Sequence, residues 1–311
     1  MSRAAPGSTS PPSCADSTPP RCCLAGATAT GKSALVQALA ERTGAAILSA
    51  DAMLVYRGMD IGTAKPSAEE RARVPYFGLD CVAPDEPFST AAWLDRAHAA
   101  QAQCDREGRA LYVTGGTGLY FSALLRGLDP APPRDPALAA ELEALSPDEL
   151  RARLARHRVT LPPAEAQNPR RLVRALELLE RGHPLPSAWL GTPKPPLLAL
   201  TWERSLLHER IARRVDQMFR EGLLDEAEAL RARYPEWSRT ACQAIGYAEA
   251  FACLDGRLSR EAARERIIIR TRQLARRQET YFRHQFAVTW LPLTPDTRPA
   301  DLLDRLQRLW E

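Results

Sequence analysis

The 311-residue sequence predicts an α/β fold built on a parallel sheet, and three observations predict it. A glycine-rich segment, Gly26-Ala27-Thr28-Ala29-Thr30-Gly31-Lys32-Ser33, stands between a short apolar run and a stretch with helical spacing. Further short apolar runs recur with helical stretches between them, the alternation that implies parallel strands joined by crossover helices. The most distinctive turns all follow those runs, where the carboxyl ends of strands in an open α/β sheet bind ligands. Together these features specify a P-loop NTPase-like parallel sheet with a helical insertion domain and a helical C-terminal region.

The elements follow in order. Residues 1–20, rich in Ser, Pro, Thr and Ala, lack the apolar core of a secretory signal and are expected to form a disordered leader. Residues 21–25 predict the first strand. Leu35, Val36 and Leu39 place a helix over 33–41 directly after the glycine loop. Residues 45–50 predict a second strand ending at Asp51, and 110–114 a third running into Gly115-Gly116-Thr117-Gly118. Residues 197–202 and 286–291 predict a fourth and a fifth. Prolines cluster at 130, 132, 133 and 136 and again at 184, 186, 193, 195 and 196, bracketing Leu- and Arg-rich helical stretches. The core is therefore expected to comprise 21–129 and 197–311, with 130–196 inserted. Residues 205–283 read as helices broken at Gly222, Pro235 and Gly256.

Composition narrows the class. A hydrophobic fraction of 45% suffices for a substantial core, and a charged fraction of 26% is ordinary for a globular protein. The net charge of +4 says little about partners. No apolar run approaches the roughly 18–20 residues that span a bilayer, so the chain is expected to be cytoplasmic and not membrane-bound. The 7 cysteines show neither a CxxC pair nor zinc spacing, which points to reduced thiols. Of the 42 basic residues only Lys32, Lys65 and Lys194 are lysines, and one of them lies in the glycine loop.

That loop fits G-x-x-x-x-G-K-[ST]. Its glycines let the backbone curl so that successive N–H groups face phosphate oxygens, and the following helix aims its positive end at the same anion. Lys32 is placed to reach the terminal phosphate, and the Ser33 hydroxyl to ligate Mg²⁺. The motif does not say which phosphates are held. ATP is the usual occupant, so the loop by itself equally fits a small-molecule kinase. Asp51, at the end of the second strand, faces such a loop across the cleft. It suits a general base or a holder of metal-bound water, and equally a helix-capping or turn aspartate.

The run from Asp51 to Pro66 (DAMLVYRGMDIGTAKP) has no simple periodicity and is longer than a connection requires. It resembles the signature of the tRNA dimethylallyltransferase family, with Ala52 where that family usually has serine. Four further segments resemble the family's in the same order. They are 113–125 (VTGGTGLYFSALL), 168–177 (NPRRLVRALE), 243–247 (QAIGY) and 271–283 (TRQLARRQETYFR). The glycine loop departs at Ala27 and Thr30. Near Leu138 and Ala139, alanine stands where the family tends to carry an arginine approaching tRNA.

The resemblance implies an enzyme that moves the dimethylallyl group of dimethylallyl diphosphate onto N6 of adenosine 37, beside the anticodon, in tRNAs reading codons that begin with U. Residues 26–33 then hold a leaving diphosphate. Asp51 accepts the N6 proton, Thr117 helps to fix the adenine, and Lys32 and Arg214 clamp the diphosphate. Mg²⁺ is the implied metal, with Ser33 its ligand. A base stacked in an anticodon loop cannot react, so the adenine must be extruded into the protein, entering a channel opposite the donor. The tRNA anticodon stem-loop is expected to meet Asp51, Ala52, Met53, Leu54 and Thr117; Arg170, Arg171, Leu172, Val173 and Arg174; Gln243, Ala244, Ile245, Gly246 and Tyr247; and Arg276, Arg277, Gln278 and Arg283. A monomer is expected.

The residues themselves add basic surfaces. Residues 264–283 carry seven arginines and 151–181 carry eight. Most arginine-rich helices are solvated faces, so spacing alone does not separate that reading from RNA contact, for which Tyr281 and Phe282 could supply stacking. Two other activities stay open on the residues alone: a P-loop small-molecule kinase and a prenyltransferase acting on free adenine nucleotides.

Overall fold

A computed structural model describes residues 22–128, 132, 134–185 and 193–310. The expected leader, Cys14 and parts of the proline-rich joints flanking the insertion lie outside the described residues. In chain order the elements are β1 (Cys23–Gly26), α1 (Lys32–Thr43), β2 (Ala46–Ser49), α2 (Ala68–Arg73), β3 (Tyr76–Phe77), α3 (Thr90–Glu107), β4 (Leu111–Gly115) and α4 (Gly118–Arg126). Then follow α5 (Pro136–Glu143), α6 (Pro147–Arg156), α7 (Pro163–Ala166), α8 (Pro169–Glu180), β5 (Pro196–Trp202), α9 (Arg204–Arg220), α10 (Leu223–Arg233), α11 (Tyr247–Leu254), α12 (Arg260–Gln285), β6 (Ala287–Leu293) and α13 (Pro299–Trp310).

The six strands form one parallel sheet in the order β3-β2-β4-β1-β5-β6. The chain runs outward from β1 through β2 to β3, returns with β4 between β2 and β1, and continues on the far side as β5 and β6. The ends of β1, β2 and β4 therefore open at the place where strand order reverses, the usual ligand crevice of such sheets. The five expected strands are present. A sixth, β3, escaped because its two residues are too few to show a period. It is an edge strand held by Ile47–Tyr76 and Leu48–Phe77 pairing.

Successive side chains along the strands face opposite sides of the sheet, as a pleat requires. Ala25, Leu48, Val113 and Ala199 face one apolar cluster with Trp93, Phe121 and Phe282. Their neighbours Leu24, Ile47, Tyr112 and Leu200 face another with Leu35, Val36, Leu39 and Leu306. Both faces are thus covered, which is why the strands read as continuous apolar runs. The glycine breaks in the C-terminal helices are real. Gly222, at φ 98, caps α10, and Gly256, at φ 70, closes the turn after α11.

Helices α5–α8 pack on each other around a separate cluster of Leu142, Leu150, Leu154, Leu161, Leu172 and Leu176. Beside it lies the fully buried carboxylate of Glu177. It meets Arg174 at 2.8 Å and Arg134 at 3.4 Å and accepts the backbone N–H of Asp135 at 2.7 Å. Burying a carboxylate is tolerated because its lone pairs are filled by cations and a backbone donor. No disulfide joins the described cysteines. No described helix is long and apolar enough to cross a membrane.

Candidate functional site

The glycine loop is shaped by its own sequence. Gly31 adopts φ 92 as the N-cap of α1, a left-handed conformation that favours glycine. Gly26 has no room for a side chain, since a Cβ there would stand 2.9 Å from the Thr30 hydroxyl oxygen. That hydroxyl donates to the Ala27 carbonyl at 2.9 Å, which accounts for a bulkier residue at position 30. The first turn of α1 has neither a side-chain cap nor an acidic residue, so its N–H groups and positive end remain available to an anion.

Other elements brace the loop. From β5 the Trp202 indole donates to the Thr30 carbonyl at 3.0 Å. From α9 the Arg210 guanidinium donates to the Ala29 carbonyl at 2.8 Å and stacks on the Trp202 ring at 4.6 Å. One turn on, Arg214 donates to the Thr28 hydroxyl at 3.1 Å and to the Thr63 carbonyl at 2.9 Å. From α12, Gln278 accepts the Thr28 N–H at 2.9 Å.

Lys32 is buried, its ammonium 3.3 Å from the Ala27 carbonyl. Burial, helped by the nearby Arg214 and opposed by Asp51, lowers its pKa to about 8. Burial also pushes the Arg214 guanidinium down from its usual range, with Asp51 opposing. Two desolvated cations beside one loop create a strong demand for an anion.

Two cavities meet here. One, of about 430 Å³, is lined by Lys32, Ser33, Ala64, Tyr76, Arg213 and Arg214. The other, of about 360 Å³, is lined by Thr28, Asp51, Ala52, Met53, Thr117, Arg214, Ile245, Ile267, Leu274, Arg277 and Gln278. Arg214 lines both. Asp51 accepts the Met53 N–H at 3.0 Å, which holds its carboxylate beside the second cavity. The Thr117 hydroxyl accepts the Ala52 N–H at 2.9 Å, while the Thr117 N–H donates to the Ala50 carbonyl at 3.0 Å. The turn after β4 is thereby tied to the end of β2. That bond needs only the backbone of residue 52, so alanine there leaves it intact.

A third opening, a groove of about 630 Å³, lies between α8 and α12 and is lined by Asn168, Arg171, Gln273, Arg276, Arg277, Tyr281 and His284. Arg277 borders this groove and the second cavity alike.

The site thus gathers Asp51, Ala52, Met53, Thr117, Gln243, Ala244, Ile245, Arg277 and Gln278 at one cavity and Lys32, Ser33 and Arg214 at the other. The structure places the other residues expected at an RNA surface away from these cavities. Leu172 and Val173 are buried in the cluster of α5–α8. Arg174 is committed to Glu177 and the Pro132 carbonyl. Gly246 and Tyr247 are buried behind the turn that begins at Gln243. Leu54 does not line the second cavity, and its carbonyl accepts the Asp80 N–H. Arg170 is exposed but outside the groove lining, and Arg283 lies over the Trp290 ring at 5.8 Å.

The sequence reading missed Arg210 and Trp202, whose only signals were a helix-face arginine and a strand-end tryptophan. It also missed the reason for Lys65. This ammonium is completely buried, 2.6 Å from both Asp60 and Asp80 and 2.8 Å from the Tyr56 carbonyl, and it pins the 51–66 run.

For a metal, the donor set is sparse. No group of three His, Cys, Asp or Glu side chains among the described residues could hold one. Ser33 is exposed and offers its hydroxyl oxygen at the first cavity, which the Glu70 carboxylate also lines. That suits Mg²⁺, which keeps several waters and binds mainly through substrate phosphates.

The family model described as IPP transferase matches residues 54–285, and that described as isopentenyl transferase matches 22–75. The tRNA dimethylallyltransferase of Anaeromyxobacter dehalogenans strain 2CP-C is 42% identical over 296 residues, covering 92% of this chain and 98% of that protein. The tRNA dimethylallyltransferase of Thermus thermophilus is 43% identical over 280 residues, covering 86% and 91%. The crystal structure of the tRNA isopentenylpyrophosphate transferase of Bacillus halodurans superposes with a TM-score of 0.66 at 34% identity, covering 93% of this chain and 95% of that one.

Proposed function

The chain belongs to the IPP transferase family, and on that premise we propose that it is an enzyme transferring the dimethylallyl group of dimethylallyl diphosphate to N6 of the adenosine next to a tRNA anticodon. The observation that carries this reading is the pair of cavities meeting at Arg214, one walled by the glycine loop and the other by Asp51 and Thr117. A donor held by its diphosphate in the first points its allylic carbon toward a base lodged in the second. The groove between α8 and α12 adjoins the second cavity at Arg277 and is lined by arginines, which suits the stem-loop that delivers the base.

In the reaction the N6 lone pair forms a bond to C1 of the allyl group. The C1–O bond breaks, and its electron pair leaves on the diphosphate. Negative charge grows on that oxygen while carbocation character grows on carbon. The N–H groups of the glycine loop, Lys32 and Arg214 are already in place to stabilise the developing anion. The proton on N6 passes to the Asp51 carboxylate. Thr117, having accepted the Ala52 N–H, retains its hydroxyl hydrogen for an adenine ring nitrogen. When bound, Mg²⁺ at Ser33 supplies further positive charge to the departing diphosphate. The reading also implies a cytoplasmic monomer acting on tRNAs that read U-initial codons.

The test uses donor labelled in its prenyl group, tRNA with adenine beside the anticodon, and ATP in parallel. Label in the RNA with equimolar diphosphate release supports the proposal. ATP turnover with phosphate on a small acceptor and unlabelled RNA indicates a kinase instead.

A further inference from the structure

The carboxylate of Glu226, on α10, is surrounded by four donors. It accepts the backbone N–H of Asp60 at 3.0 Å, of Ile61 at 2.7 Å and of Gly62 at 3.1 Å, and the hydroxyl of Tyr247 at 2.7 Å. Three successive backbone N–H groups turned on one point form an anion nest, here filled by the protein's own side chain. Glu226 lies in the first turn of its helix, where an acidic residue would ordinarily serve the helix dipole. Its carboxylate instead reaches another segment of the chain.

The Tyr247 ring packs closely against that segment. A Cβ on Gly62 would stand 2.6 Å from two ring atoms, so glycine is required there by close approach. Burial, reinforced by the Glu226 carboxylate, pushes the Tyr247 hydroxyl well above its ordinary pKa, and it remains a donor. Two consequences follow from connectivity. Residue 63 comes next, and its carbonyl is one of the two anchors of Arg214. Tyr247 closes the turn whose Gln243, Ala244 and Ile245 line the second cavity.

We propose that Glu226 is a positioning residue that fixes Arg214 for the diphosphate: by holding the 60–62 backbone and the Tyr247 hydroxyl on one carboxylate, it sets the Thr63 carbonyl and joins the frame of the donor cavity to that of the acceptor cavity. Without Glu226 the three N–H groups lose their common acceptor, the Thr63 carbonyl is released, and Arg214 keeps only its bond to Thr28. The inference rests on reading the first cavity as a diphosphate site.

The experiment measures the affinity of the full chain for inorganic pyrophosphate by calorimetry, alongside donor KM, kcat and tRNA affinity. It compares wild type, Glu226→Gln, Tyr247→Phe, Arg214→Lys and the Glu226→Gln/Arg214→Lys double variant. Glu226→Gln is expected to weaken pyrophosphate binding about tenfold, the scale of one lost hydrogen bond to a charged group, with tRNA affinity weakened by a smaller factor. Tyr247→Phe keeps the ring against Gly62 and is expected to weaken it about threefold. If Glu226→Gln does not fold, Tyr247→Phe decides. In the Arg214→Lys background Glu226→Gln should add little, because both act through one guanidinium. A merely structural Glu226 lowers thermal stability without moving pyrophosphate affinity, or adds its full effect to Arg214→Lys, and either result overturns the proposal. A wild-type chain that fails to bind pyrophosphate overturns the diphosphate reading itself, and this inference with it.

Discussion

The Thr28 N–H donates to the side-chain oxygen of Gln278 at 2.9 Å, across 250 positions of sequence. The glycine loop is therefore not finished by its own residues. A helix from the far end of the chain holds it open. Gln278 also fills the space over Gly116, where a Cβ would stand 2.3 Å from its amide nitrogen. One side chain thus spaces the phosphate loop from the turn that carries Thr117, and α12 sets the width of the cleft between donor and acceptor.

Donor affinity should depend on pH through Lys32. Its pKa is lowered to about 8 when no anion faces it, and an adjacent diphosphate raises it. Below about 8 the ammonium is already formed and affinity is flat. Above that pH, binding requires proton uptake, and affinity falls by up to about tenfold per pH unit. Titrations with dimethylallyl thiodiphosphate, whose own last proton leaves below this window, check it. Lys32→Arg, which stays charged, should flatten the profile. Constant wild-type affinity across the window contradicts the assignment.

Arg214→Lys should impair donor use disproportionately. A lysine cannot reach both the Thr28 hydroxyl and the Thr63 carbonyl as the planar guanidinium does. Loss of one charged hydrogen bond predicts a donor KM raised about tenfold or more. The KM for tRNA should change little. Steady-state kinetics with each substrate varied in turn distinguish the two.

Much of this was legible in the sequence, for physical reasons. Gly31 holds a left-handed backbone, φ 92, that favours glycine, so the motif announces itself, while Ala29 adopts φ 64 in the same loop without a glycine to signal it. Buried parallel strands must be apolar on both faces, so β1, β2 and β4 stood out, and the partly buried β5 and β6 were long enough to show as apolar runs. β3 could not, because pairing at the sheet edge and not composition makes Tyr76 and Phe77 a strand. Roles fixed by distant partners were equally hidden. The resemblance implies tRNA contact at Leu172, Val173 and Arg174, yet an amphipathic helix turns its leucines inward, and Arg174 neutralises the buried Glu177. Lys65 and Glu226 gave no local signal, since their partners lie on other segments.

Gly118→Ala should destabilise the fold by about 1–3 kcal/mol, the usual cost of overpacking. A Cβ there would stand 2.1 Å from the Tyr281 ring, and Tyr281 also bonds the Ser122 hydroxyl at 3.1 Å. Either the start of α4 or α12 must move. Thermal unfolding checks the size of the loss, and Tyr281→Ala in the same background should restore part of it. An unchanged melting temperature for Gly118→Ala excludes the clash.

RNA binding should weaken steeply with salt, with a log–log slope of roughly −0.7 for each phosphate contact. Arg171→Ala and Arg276→Ala, both in the groove between α8 and α12, should each make that slope shallower by about 0.7. Arg174→Ala acts elsewhere. Removing a partner of buried Glu177 should cost stability and leave the slope unchanged. Filter binding of an anticodon stem-loop over a salt series reads the slopes, and calorimetric melting reads the stability.

The most direct test of the account is single-turnover transfer from saturating dimethylallyl diphosphate to bound tRNA by wild type and by Asp51→Asn. If Asp51 accepts the N6 proton as the diphosphate departs, wild type yields N6-(dimethylallyl)adenosine beside the anticodon. The variant should form the same product about 10²–10⁴ times more slowly, with tRNA affinity retained. Equal rates for the two proteins would remove Asp51 from the chemistry and contradict the arrangement of the two cavities proposed for this enzyme.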